Sequence, residues 1–252
     1  MNKILLLFLL VGCSLTPPKP EQTLVLISDL HVSEDIWTEV IPHLEVPRFN
    51  VINLGRLGRD TEEAPSLSLL AELSCQKIPS KSVLVAHSFG GAIANRMVGV
   101  CPDKIERIIY VTALTPQNKE KPLDHLNRTD QRNYSKIVTF GRFKIVPKDA
   151  LSFYQGAAPE LSQEKYSPLH SEWISLISEA MTYNEENFNK IPKSYISTQG
   201  DPLLSVTTQF KYMSRLGIKD VQSLKSDHYP MLSHPKELSQ MITGIVLRSF
   251  EE

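Results

Sequence analysis

"SVLVAHSFGG", residues 82–91, carries an apolar run into a histidine, then sets Ser88 between bulky neighbours and ahead of two glycines. The run 82–87 reads as a buried strand, and "GGAIANRMVGV" (90–100) reads as a helix. A serine at such a junction has two readings. It caps the helix N-terminus, as serine often does, or it is a nucleophile held on a tight strand-to-helix turn that lifts its hydroxyl above the sheet. The second needs small residues two positions either side, because backbone passes close there. Ala86 departs from the glycine of the strict G-x-S-x-G pattern but keeps its size, and Gly90 supplies the other position. The strand before, the helix after and the place in the strand series favour the nucleophile.

That series is legible in both directions. "TLVLIS" (23–28) is a strand without alternation, "EDIWTEVIPHLE" (34–45) has helical spacing, and "FNVINL" (49–54) is a second strand. "APSLSLLAELSCQKI" (64–78) is helical, and "ERIIYVTAL" (106–114) is the fourth strand after 82–87. Continuous apolar strands alternating with helices predict an α/β chain with a mostly parallel sheet covered on both faces. Residues 115 to about 190 break the pattern. They are polar, hold several prolines and contain short helical pieces such as "LSFYQG" and "SEWISLISEAM". Their aromatics, among them Phe140, Phe143, Phe153, Tyr154 and Trp173, favour a cap over the sheet against a disordered loop. Alternation resumes with the strand "KSYIST" (193–198), a helix over 205–217, the strand "VQSLKS" (221–226) and a helix from about Pro235 to Phe250.

A serine hydroxyl needs a base, and the base needs an orienting acid. In this kind of sheet the order is Ser, acid, His. Of the seven histidines, His228 and His234 alone follow the last strand. His228 sits directly after it in "SDHYPMLSHP"; His234 precedes Pro235 at the start of the last helix and reads as a cap. Asp201, in "YISTQGDPLL", lies just past the preceding strand and is the candidate acid, with a plain turn residue as its alternative. Asp220 falls at the wrong end of the sheet, and Asp227 adjoins the histidine itself.

The chain has 252 residues and a net charge of -1, with no basic stripe interleaved with aromatics, so no nucleic-acid partner is expected. "MNKILLLFLLVGCS" opens with Lys3, an apolar run too short to span a bilayer, and then Gly12 and Cys13. It reads as a signal peptide over residues 1–12. "LVGC" resembles the bacterial lipoprotein cleavage box, which implies a lipidated Cys13, a tether over 13–22 and anchoring of the domain 23–252 to a membrane. The alternative is a plain secretory signal. A bacterial cell-envelope location is expected, and Ser14 rather than aspartate after Cys13 favours the outer membrane and periplasm. Such a compartment permits a disulfide between Cys75 and Cys101, near the ends of neighbouring helices; two buried thiols are the alternative.

With these residues in place, the chain resembles the α/β-hydrolase branch of plant methylesterases and hydroxynitrile lyases, with bacterial esterase relatives. The matching stretches are "NLGRLGRD", "VLVAHSFGGAIA", "PDKIERIIYVTAL", "LSFYQGAAPELSQEKYSPL", "YISTQGD" and "SDHYPMLSHPKEL". The resemblance spans about residues 23 to 250. It implies Ser88, Asp201 and His228 as a catalytic triad, a small-molecule ester substrate, no metal and no organic cofactor. It leaves the oligomeric state open.

The resemblance also implies an oxyanion hole made by the backbone N–H groups of Phe89 and Leu30. The family usually has His-Gly ahead of the second donor, where this chain has Ser28-Asp29. A carboxylate at the mouth of the hole, about 5 Å away at an effective dielectric near 20, would oppose the developing charge by on the order of 3 kcal/mol, about a hundredfold in rate, unless Asp29 points away, pairs with a cation or binds a cationic part of the substrate. Lyases resembling this chain carry a lysine directly after the catalytic histidine and a threonine near the first strand; Tyr229 and Asp29 stand there instead. Ester hydrolysis is therefore expected. A binding lipoprotein with impaired catalysis and a lyase are the alternatives.

Overall fold

The computed structural model describes residues 22–46, 49–154 and 168–248. The proposed signal peptide, Cys13 and most of the tether lie outside the described residues, as does much of the "LSFYQGAAPELSQEKYSPL" stretch. Among the described residues no helix is long and apolar enough to cross a membrane.

Six parallel strands form the central sheet: β1 (Gln22–Ile27), β2 (Phe49–Asn53), β3 (Ser82–His87), β4 (Ile105–Val111), β8 (Lys193–Thr198) and β9 (Asp220–Leu224). Their order is β2-β1-β3-β4-β8-β9. Every residue of β3 is buried, which explains its unbroken apolar run. Its alternate side chains serve two cores. Leu84 and Ala86 pack with α1 (Leu67–Lys77) and α2 (Gly90–Val98), while Val83 and Val85 pack with the C-terminal helix Pro235–Arg248. The expected two-faced sheet is therefore present. Ser66 caps α1, its side chain accepting from the Leu69 N–H.

One predicted helix is absent. Residues 34–45 form two 3-10 turns, Glu34–Trp37 and Ile41–His43. Pro42 has no amide hydrogen to donate and disfavours helical backbone at Ile41, and β-branched Thr38, Val40 and Ile41 add little helix propensity. Ile36, Trp37 and Val40 nevertheless bury against the sheet, so the apolar spacing was real and the backbone regularity was not.

Between β4 and β8 the chain builds α3 (Arg128–Ile137) and a second, antiparallel sheet of β5 (Val138–Phe140), β6 (Lys144–Pro147) and β7 (Glu172–Trp173). Only short helical pieces were expected here. Two exist, Ala150–Phe153 and Ser175–Ser178, but "EW" (172–173) belongs to β7. Strands of two to four residues carry too little alternation to be read. α3 is mostly polar; Asn127 starts it by accepting from the Thr129 and Asp130 N–H groups.

Candidate active site

The strand order reverses between β1 and β3, and the loops after these two strands meet at the C-terminal edge of the sheet. Such a reversal opens a crevice where α/β sheets place their ligands. Ser88 follows β3 with φ of 51°, an uncommon conformation for a residue with a side chain. The glycines after it are steric requirements. A Cβ on Gly90 would lie 2.7 Å from the Ile27 carbonyl oxygen, and one on Gly91 would lie 2.3 Å from that of Leu114. Ala86 is fully buried and accommodated.

The three residues named from the strand count come together. His228 Nε2 lies 2.9 Å from Ser88 Oγ. His228 Nδ1 lies 2.7 Å from Asp201 Oδ2. The Leu203 and Leu204 N–H groups donate to Asp201 Oδ1, and the Thr112 and Thr198 hydroxyls donate to Oδ2. Burial opposes the Asp201 charge, but the His228 cation and these donors outweigh it and hold the carboxyl below its usual range. Thr112, at φ of 36° just past β4, is a supporting residue that the sequence reading missed. No apolar period marks such a position.

Asp29 was expected at the mouth of an oxyanion hole; its carboxylate instead sits between the two backbone N–H groups expected to form that hole. Its Oδ1 accepts from the Leu30 N–H at 2.7 Å and from the Phe89 N–H at 3.0 Å. The two donors thus converge on one point, and the carboxylate fills it. Its Oδ2 accepts from the Tyr229 hydroxyl at 3.3 Å and lies 3.8 Å from His228 Nε2. Burial would push the Asp29 carboxyl up; interactions with His228 and His87 and the Phe89 N–H prevail and hold it well below the usual range. Repulsion is not the whole interaction of this carboxylate with the site, because these bonds hold it in place. Residues this close in sequence can also be this close to the hole, and only the loop conformation says which way the carboxylate turns.

Burial also opposes a charged His228, yet Asp201 and Asp29 outweigh it and raise the imidazole to about 10. Beside it, His87 donates from Nε2 to the His228 carbonyl at 2.7 Å. Burial, with the His228 charge, lowers His87 to about 4.

The Asp29 loop is fastened from two sides. Buried Arg59 donates to the Asp29 carbonyl at 2.7 Å and lies 3.7 Å from Glu172 of β7, which Arg56 also pairs. His31, at φ of 69°, has Nδ1 2.8 Å from the His170 carbonyl and Nε2 2.8 Å from the Tyr134 hydroxyl. His31 lies before the last strand, and its role as a clamp to α3 and to residue 170 is not visible in the sequence.

Over Ser88 lies a cavity lined by Leu30, Phe89, Leu114, Leu123, Leu126, Tyr134, Phe153, Leu203 and Leu204, with Asp29, Ser88 and His228 as its polar floor. Among the described residues no group of three or more His, Cys, Asp or Glu side chains could hold a metal ion. Away from the site, Cys75 and Cys101 are joined by a disulfide, with Cα atoms 6.0 Å apart.

The chain is similar to known proteins in sequence and in fold. Norfluorocurarine synthase 2 of Strychnos nux-vomica is 24% identical over 217 residues, covering 77% of this chain and 80% of that protein. Putative methylesterase 13, chloroplastic, of Arabidopsis thaliana is 26% identical over 233 residues, covering 83% of this chain; the chain spans only about half, 52%, of that relative's length. A solved pyrethroid hydrolase from Sphingobium faniae JZ-2 superposes with a TM-score of 0.79 at 18% identity, covering 92% of this chain and 99% of that one, and so shares the fold. The model of the alpha/beta hydrolase family matches residues 24–241. The chain belongs to the alpha/beta hydrolase family.

Proposed function

We propose that the protein hydrolyses small, fairly apolar carboxylic esters through an acyl-enzyme formed on Ser88. The observation that carries this reading is the continuous chain from Ser88 Oγ through His228 to Asp201, at 2.9 and 2.7 Å, under an apolar cavity. Neutral His228 takes the Ser88 proton as Oγ bonds to the ester carbonyl carbon. Asp201 holds the imidazole tautomer and the cation that forms. His228 returns the proton to the departing alkoxide, which leaves as the alcohol. Water, activated by the same imidazole, then releases the acid and restores Ser88. The Leu30 and Phe89 N–H groups receive the oxyanion once Asp29 yields the place. Methylesterases and a pyrethroid hydrolase among the similar proteins agree with ester chemistry.

A fluorophosphonate probe tests the reading. Labelling of the wild type that vanishes in Ser88→Ala is the expected result. A well-folded wild type that resists labelling across the pH range would overturn it. That outcome would favour a second reading, a binding protein of the same fold, for which the filled oxyanion hole speaks. A lyase reading lacks its lysine, because Tyr229 follows His228 and its hydroxyl donates to Asp29. Lipid anchoring through Cys13 in a bacterial envelope remains a proposal from the sequence pattern alone; the mass of the mature N-terminal peptide checks it.

A further inference from the structure

Asp29 neither forms a bond nor takes a proton in the acyl-transfer cycle, yet it occupies the point where the cycle needs an empty hole. Its Oδ1 sits 2.7 and 3.0 Å from the two backbone donors, the distances a tetrahedral oxyanion requires. An ester carbonyl oxygen can enter only if this carboxylate leaves. The backbone beneath it is held by Arg59 at the Asp29 carbonyl and by the bonds of His31 to residue 170 and Tyr134. Departure is therefore a rotation of the side chain, into a cavity whose other walls are leucine and aromatic rings.

An ionised carboxylate turned against such walls is costly unless a cation meets it. Arg59 cannot follow, because its guanidinium is engaged with the Asp29 and Gly55 carbonyls and lies beside Glu172. Among the described residues His228 is the one cationic group in the cavity lining, and it must be neutral to accept the Ser88 proton. A cation carried by the substrate would supply the compensating charge. Phe89, Tyr134 and Phe153 in the lining offer ring faces suited to an organic ammonium.

We infer that Asp29 is a specificity-determining plug of the oxyanion hole, and that the esters it admits carry an ammonium group within a few bonds of the carbonyl. The ammonium draws the carboxylate out of the hole and pairs with it while the carbonyl oxygen takes its place. This inference rests on the ester-hydrolase reading.

The test compares 2-(trimethylammonio)ethyl acetate with its uncharged isostere 3,3-dimethylbutyl acetate, on wild type and Asp29→Gly, with thermal unfolding confirming that the variant folds. The wild type is expected to prefer the cation in kcat/KM by about tenfold or more, as for a close charge pair out of water. Asp29→Gly is expected to turn over the neutral ester faster and to lose the preference. Equal wild-type rates, or a preference that survives in Asp29→Gly, would overturn the plug while leaving ester hydrolysis intact. A second readout does not need turnover. Acetate should shift the backbone amide resonance of Phe89 in Asp29→Gly, because the hole is free, and leave it in place in the wild type. Equal shifts in both proteins would refute the plug. Absence of turnover together with an unlabelled Ser88 in both proteins would refute the ester-hydrolase reading, and this inference with it.

Discussion

The imidazole rings of His87 and His228 stand 5.0 Å apart and hold opposite protonation states at neutral pH. His87 is lowered from 6.5 to about 4 by burial and by the His228 charge. His228 is raised from 6.5 to about 10 because Asp201 and Asp29 outweigh its burial. Between pH 4 and 6.5 the unfolded chain binds a His87 proton that the native state refuses, so stability falls as the pH drops. Between 6.5 and about 10 the native state keeps a His228 proton that the unfolded chain has released, so stability falls as the pH rises. The maximum is expected near pH 6.5. Urea midpoints measured from pH 4 to 10 check this, with His87→Gln flattening the acidic arm and His228→Gln the alkaline one. Labelling of Ser88 should accelerate across the alkaline window, since only neutral His228 accepts its proton.

Removing the Arg59 cation should damage both stability and the site. Arg59→Met leaves the Asp29 carbonyl without its donor and takes one of two guanidinium partners from buried Glu172. Breaking buried ionic contacts of this kind costs about 3 kcal/mol. Thermal unfolding and Ser88 labelling are expected to fall together, because the loop that carries the Leu30 donor loses its anchor. Unchanged labelling in a destabilised variant would mean that the His31 clamp suffices.

The disulfide should matter to stability and not to chemistry. It closes a loop of 26 residues between the ends of α1 and α2, remote from the cavity. Loop closure of that size stabilises by about 3 kcal/mol. Cys75→Ser with Cys101→Ser should lower the urea midpoint by a matching amount and leave the labelling rate of Ser88 unchanged at temperatures where the variant is folded.

Much of the candidate site is legible in the sequence, and the reason is geometric. In a parallel sheet every strand ends at the same rim, so residues just past β3, β8 and β9 must be neighbours in space however far apart they are in sequence. Strand counting thus sufficed to bring Ser88, Asp201 and His228 into one list, and the small residues around Ser88 reflect backbone contacts that the sheet imposes. Apolar spacing also marked Ile36, Trp37 and Val40 for burial, although Pro42 broke the helix they suggested.

Direction, in contrast, was settled only by tertiary contacts. Asp29 was visible as an intruder in the loop after β1, but a carboxylate there can face solvent, a cation or the hole. It faces the Leu30 and Phe89 N–H groups because Arg59, beside Glu172, holds its backbone from one side, His31 with Tyr134 holds the next turn from the other, and those two N–H groups converge as a pair of donors. Those partners lie between 1 and about 140 residues away, in elements as short as β7 whose strands have no readable period. Local sequence determined which residues reach the rim of the sheet; long-range hydrogen bonding and charge decided which of them occupies the point where the Leu30 and Phe89 N–H groups converge.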